Sequence, residues 1–138
     1  MQRHIIIASH ERLALGFKQT LEFISGKQPH LHVLTAYMDN KPIESAVSDI
    51  MNDISSDDEA IVLTDMLAGS VNQKFFPYKN RPHTHIITGI NLPLVLAFVM
   101  ENNDNYISVD RVREIVEQAK QQLIYVNDID TSADSDDE

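Results

Sequence analysis

The segment His4–His10, HIIIASH, decides how this chain folds. Its centre is a β-branched run with no polar residue in alternation. A strand with one face in water would show a polar side chain at every second position, so this one is covered on both faces. That is the mark of a parallel sheet sandwiched between helices. The run then breaks off into Ser9-His10-Glu11, three polar residues at the point where strand gives way to helix.

Outward from this segment the pattern repeats. From Arg12 to Ser25, Leu13, Phe17, Leu21 and Ile24 follow helical spacing, and Gly26 supplies a stop. Leu31–Tyr37 reads as a second strand. Asp39 or Asn40 can cap a helix that opens near Pro42, with Ile43, Val47, Ile50, Met51 and Ile54 as its buried stripe. Asp57, Asp58 and Glu59 read as a solvated loop before a third apolar run, Ala60–Thr64. Gly69, Ser70 and Asn72 open a helix carrying Phe75 and Phe76, which with Tyr78 are expected near a dimer or partner surface.

Thr84–Thr88 is a fourth strand and Leu92–Met100 a helix after Asn91. Ser108 can cap a last helix containing Val109, Val112, Ile115, Val116 and Ala119, and Leu123–Val126 is a short final strand. The expected architecture is α/β, a mostly parallel central sheet of four strands with helices on both faces. Residues 1–127 form the one domain, and 128–138 form an acidic, disordered tail.

Composition narrows the function. The chain has 138 residues, 43% apolar, with no cysteine, so thiol catalysis and cysteine-based zinc sites are excluded. The net charge is −10, six of the 21 acidic side chains lie between Asp128 and Glu138, and there is no Lys/Arg cluster. Nucleic acid and anionic membranes are poor partners for such a surface. No stretch approaches the roughly 18 apolar residues of a membrane span, and the N-terminus lacks a signal-peptide pattern, so an intracellular, cytoplasmic protein is expected. There is no G-x-G-x-x-G and no Walker-type Gly-Lys-Ser/Thr, which disfavours a nucleotide- or flavin-binding module. His30/His32 and His83/His85 could each offer a metal two ligands, but no third is evident, and no metal or cofactor is expected.

In an open parallel sheet, sites gather at the carboxyl ends of the strands. Three such ends carry polar residues here: Ser9-His10-Glu11, Thr64-Asp65 ahead of Ala68-Gly69-Ser70, and Thr88-Gly89 ahead of Asn91. They converge if the first strand lies beside the third. A neutral imidazole is a suitable reversible phosphoryl acceptor, and an Asp bonded to one ring N–H fixes the tautomer and directs the other nitrogen to attack. Asp65 is the candidate for that Asp, and the turn before Ser70 is suited to hold phosphate. On their own, His10 fits a satisfied polar residue as well as a nucleophile, and Asp65 fits a turn cap as well as a partner.

Three collinear motifs sharpen the reading. His4-Ile5-Ile6-Ile7-Ala8-Ser9-His10 with Leu13-Ala14 and Gly16, Ile61-Val62-Leu63-Thr64-Asp65-Met66-Leu67-Ala68-Gly69-Ser70, and Ile87-Thr88-Gly89-Ile90-Asn91-Leu92-Pro93 resemble the signatures of IIA phosphocarriers of the mannose/fructose/sorbose-family sugar phosphotransferase system. The resemblance implies that His10 accepts a phosphoryl group from the phosphorylated histidine-containing carrier protein. It would pass the group to a IIB component and on to sugar entering through a membrane IIC/IID complex. It further implies Asp65 on the other ring nitrogen, Thr64, Gly69 and Ser70 around the phosphate, and a homodimer exchanging the last strand. Two departures stand out: Glu11 where the family usually has Gly, and Ala68 in place of the first Gly of a Gly-Gly-Ser. The alternatives in the same fold family are the phosphoryl-donor subunit of dihydroxyacetone kinase and a IIA-like regulatory domain.

Overall fold

The structure, a computed structural model, describes residues 1–36, 38 and 40–130. Its elements run β1 (Arg3–His10), α1 (Leu13–Ser25), β2 (Leu31–Ala36), α2 (Ile43–Asn52), β3 (Glu59–Thr64), α3 (Ser70–Phe75), a 3₁₀ turn (Phe76–Asn80), β4 (Thr84–Thr88), α4 (Leu92–Met100) and α5 (Val109–Lys120). The four strands form one sheet in the order β2-β1-β3-β4, and every pairing is parallel.

The apolar run of β1 has the predicted consequence. Successive side chains point to opposite faces. Ile5 and Ile7 join Leu21 of α1, Leu94 and Phe98 of α4 and Ile115 of α5 on one face. Ile6 and Ala8 join Val47 and Met51 of α2 and Val71 and Phe75 of α3 on the other. Ile6, Ile7 and Ala8 are wholly buried, as are Ile61, Val62 and Leu63 of β3. The chain moves outward from β1 to β2, then returns across β1 to β3. The strand order therefore reverses between β1 and β3, and their carboxyl ends flank the crevice where such folds place their sites.

Several local expectations are corrected. In α1 the inward face is Ala14, Phe17 and Leu21, while Leu13 and Ile24 are more than half exposed. Leu13 and Ile24 lie on the flank of the stripe that the 3.6-residue period defines. The residue before α2 is Pro42, with no side-chain cap; Asp39 lies outside the described residues. Glu59 is not loop but the first residue of β3, fully buried. It pairs with Arg3, itself 6% exposed, and its other oxygen accepts the Ile107 amide at 2.7 Å. The Arg3 guanidinium also donates to the Asn102 and Asn105 carbonyls at 2.8 and 2.9 Å, pinning the α4–α5 loop. Removing either partner would strand a buried charge, at a cost of about 3–5 kcal/mol.

Phe75 is core rather than surface, while Phe76 is half exposed beneath the Lys79 ammonium, 4.2 Å from its ring centroid. Among the described residues, Leu123–Val126 pairs with no strand; Val126 instead opens a 3₁₀ turn, Val126–Asp128. Leu123 is 88% exposed and Val126 70%. Of the acidic tail, 131–138 lie outside the described residues.

Candidate active site at the ends of β1 and β3

The register that sets Ala8 opposite Thr64 brings the next residues of the two strands together. Asp65 Oδ2 accepts two hydrogen bonds from His10, one from its backbone N–H at 2.9 Å and one from ring Nδ1 at 2.8 Å. Asp65 Oδ1 accepts the Met66 amide at 3.1 Å. Burial works to raise the Asp65 carboxyl, but the bonds from the His10 amide and ring outweigh it and hold the carboxyl below its ordinary value. An ionised carboxylate has no proton to give, so Nδ1 carries the hydrogen. The neutral ring then places its lone pair on Nε2. The His10 side chain is 31% exposed and that of Asp65 11%, so the pair sits at the surface with the carboxylate behind the ring.

Three further features set the ring. Ser9 is fully buried and its Oγ accepts the Ala14 amide at 2.7 Å, capping α1 from outside the helix. Glu11, between strand and helix, has φ +54°, in the left-handed region that favours glycine. Its amide donates to the Ala36 carbonyl at 3.0 Å. A glycine here would adopt this backbone without strain, a constraint that the charge of Glu11 alone does not reveal. Gly69 matters through space: a Cβ there would stand 2.9 Å from His10 Cε1 and 3.2 Å from the Met66 carbonyl. Its φ is −77°, so conformational freedom is not what the position requires.

The remaining expected residues separate into two groups. Gly69 and Ser70 open α3 beside the His10 ring, and the Gly69 amide is committed to the Met66 carbonyl at 3.1 Å. Thr64 is wholly buried, and its hydroxyl donates to Asn72 Oδ1 at 3.0 Å. Its side chain thus lies in the frame behind Asp65. Its carbonyl accepts the Gly89 and Ile90 amides at 3.1 and 3.3 Å, which brings in the third strand end. Asn91 Oδ1 caps α4 at the Leu94 amide, and Asn91 Nδ2 donates to the Ala119 carbonyl at 2.8 Å.

At the opposite end of the sheet, His4 joins the pair His30 and His32. Its Nδ1 lies 3.0 Å from His32 Nε2, its Nε2 3.1 Å from Asp58 Oδ2, and its ring meets that of His30 edge-on. Among the described residues no group of three or more His, Asp or Glu is disposed to hold a metal ion. Nor is any helix among them long and apolar enough to cross a membrane.

Comparison with known proteins shows the family. The chain is similar over 93% of its length, and 93% of the other's, to a proposed phosphoenolpyruvate-dependent sugar phosphotransferase system permease from Klebsiella pneumoniae, at 37% identity and a TM-score of 0.83. It is 28% identical to a IIA protein associated with the fucose utilisation operon of Streptococcus pneumoniae, covering 92% of this chain and 95% of that one with a TM-score of 0.76. A mannose/sorbose-specific IIA subunit from Enterococcus faecalis, at 20% identity, shares the fold over 94% and 96% of the two chains with a TM-score of 0.72. Residues 4–120 match the family described as the fructose IIA component of the phosphotransferase system. Carrying that match over nearly the whole domain, the chain belongs to the fructose/mannose IIA family of the sugar phosphotransferase system.

Proposed function

We propose that this chain is a phosphocarrier that takes a phosphoryl group onto His10 Nε2 from the phosphorylated histidine-containing carrier protein and delivers it to a histidine of a IIB component. The observation that carries the reading is the bond from His10 Nδ1 to Asp65 Oδ2 at 2.8 Å. It orients the ring and fixes the tautomer whose nucleophilic lone pair lies on Nε2. In transfer, Nε2 attacks phosphorus in line, the carrier's N–P bond breaks, and its electron pair returns to the carrier's imidazole. The His10 ring becomes cationic while Nδ1 keeps its proton. Asp65 then faces a positive ring, and the interaction strengthens as charge develops, which is where such a bond helps catalysis. Delivery to IIB is the same exchange run from His10 as donor.

The start of α3, at Gly69 and Ser70, borders the phosphoryl group in this reading. Beyond IIB the phosphate reaches sugar at a membrane IIC/IID complex, so the chain works in the cytoplasm. It works as a homodimer, supported by the exposed run Leu123–Val126, which pairs with no strand among the described residues. The sugar phosphotransferase systems named for the similar structures favour this reading over a dihydroxyacetone kinase subunit.

The test is intact-mass spectrometry after incubation with phosphoenolpyruvate, enzyme I and the carrier protein. One acid-labile phosphoryl adduct is expected on the wild type and none on His10→Ala, whose fold should persist. An adduct that survives His10→Ala would overturn the assignment.

A further inference from the structure

We propose that Asn72 is a positioning residue for the His10–Asp65 pair, a clamp that fixes the two-residue stretch carrying the carboxylate. This deepens the phosphocarrier reading and rests on it for its purpose, though not for its geometry. Asn72 is 7% exposed and lies in α3, outside the reach of substrate. Its Oδ1 accepts the Thr64 hydroxyl at 3.0 Å, and its Nδ2 donates to the Leu67 carbonyl at 3.2 Å. A carbonyl only accepts, so the amide can sit only one way round.

Thr64 and Leu67 bracket Asp65 and Met66. One side chain therefore holds both ends of the loop that presents the carboxylate. The Thr64 carbonyl is fastened separately, by the Gly89 and Ile90 amides, which anchors the Thr64 end. The Leu67 end has no strand to hold it, so Asn72 supplies the tie. A carboxylate that must face both the amide and the ring of His10 tolerates little drift, since hydrogen bonds weaken steeply with distance and angle.

Two variants cut the clamp from opposite sides, Asn72→Ala and Thr64→Val. NMR reads the outcome without any phosphotransfer: the His10 Nδ1–H resonance and the titration of the Asp65 carboxyl. In both variants the Nδ1–H signal should broaden through faster solvent exchange, and the carboxyl should titrate closer to its ordinary range. Phosphoryl acceptance from the carrier protein should fall roughly tenfold or more, as small misplacements of reacting groups do. Combining the variants should add little to either alone. If Asn72→Ala fails to fold, Thr64→Val decides, because it removes the hydroxyl at nearly constant shape. A folded variant with unchanged Nδ1–H exchange and Asp65 titration would overturn the clamp. A wild type that accepts no phosphoryl group would instead sink the phosphocarrier reading and leave the NMR result to judge Asn72.

Discussion

His10 and Gly69 touch so closely that the imidazole occupies the space a side chain at position 69 would need; a Cβ there would come within 2.9 Å of Cε1. Real Cβ atoms do not approach so near, and the Met66 carbonyl closes the other side at 3.2 Å. Gly69→Ala should therefore displace the ring from Asp65. Phosphoryl acceptance is expected to drop by roughly tenfold or more, with an overpacking cost of about 1–3 kcal/mol. Transfer kinetics alongside thermal unfolding check this, and full-rate transfer would show that the ring has room to spare.

Glu11 offers the opposite case, a residue whose replacement should stabilise. A side chain at φ +54° costs roughly 1–2 kcal/mol. Glycine removes that strain but gains unfolded-chain entropy worth about 0.4–1 kcal/mol. The net expectation for Glu11→Gly is a gain of about 0.5–1 kcal/mol, read as a higher urea midpoint at unchanged slope.

A pH effect follows from His32. Burial, first, and then the neighbouring His4 and His30 push its imidazole below the ordinary histidine value; Lys18 adds to this and Asp53 opposes it. A histidine depressed in the folded state binds its proton more readily when unfolded. Its contribution is thus fully present above the ordinary histidine range and is lost as pH falls through the folded value. His32→Asn should flatten the fall in urea midpoint on acidification below about pH 6.5. An unaltered slope would place the pH dependence elsewhere.

The dimer proposal is tested at its most exposed apolar residue. Leu123, 88% exposed, becomes buried if the run joins a second subunit. Leu123→Glu should convert a dimer to monomer in sedimentation while the monomer stays folded, since the residue has no core role in a single chain. A dimer of undiminished affinity would point to another interface.

What could be read from the sequence divides along physical lines. The β-branched runs of β1 and β3 and the periodicity of α2 and α5 are local signals, and their elements formed where expected. So did the cap at Ser108, which accepts the Arg111 amide; Asn91, expected only to precede α4, caps it at the Leu94 amide. His10 and Asp65 could be paired because both follow buried strands. Several of the misreadings turn on side-chain contacts that no periodic pattern announces. Glu59 looked like loop because its partner Arg3 is 56 positions away. The role of Gly69 depended on where the His10 ring came to rest. Asn72 has the look of an ordinary helix opener; its bonds to Thr64 and Leu67 belong to the folded loop. The run Leu123–Val126 has strand composition, yet pairing needs a neighbour, and none stands beside it among the described residues.

The buried Arg3–Glu59 pair has one more implication, for which changes of length the protein can bear. Arg3 opposes Glu59 at one end of the β1–β3 ladder, and Ala8 opposes Thr64 at the other. From that anchored end each strand acts as a ruler, counting residues out to His10 and to Asp65. Adding or deleting one residue along either would turn a side chain to the wrong face of the sheet and part the histidine from its carboxylate, although every residue of the site was still encoded. Surface loops tolerate changes of length far better; the intervals 3–10 and 59–65 are held to a fixed count.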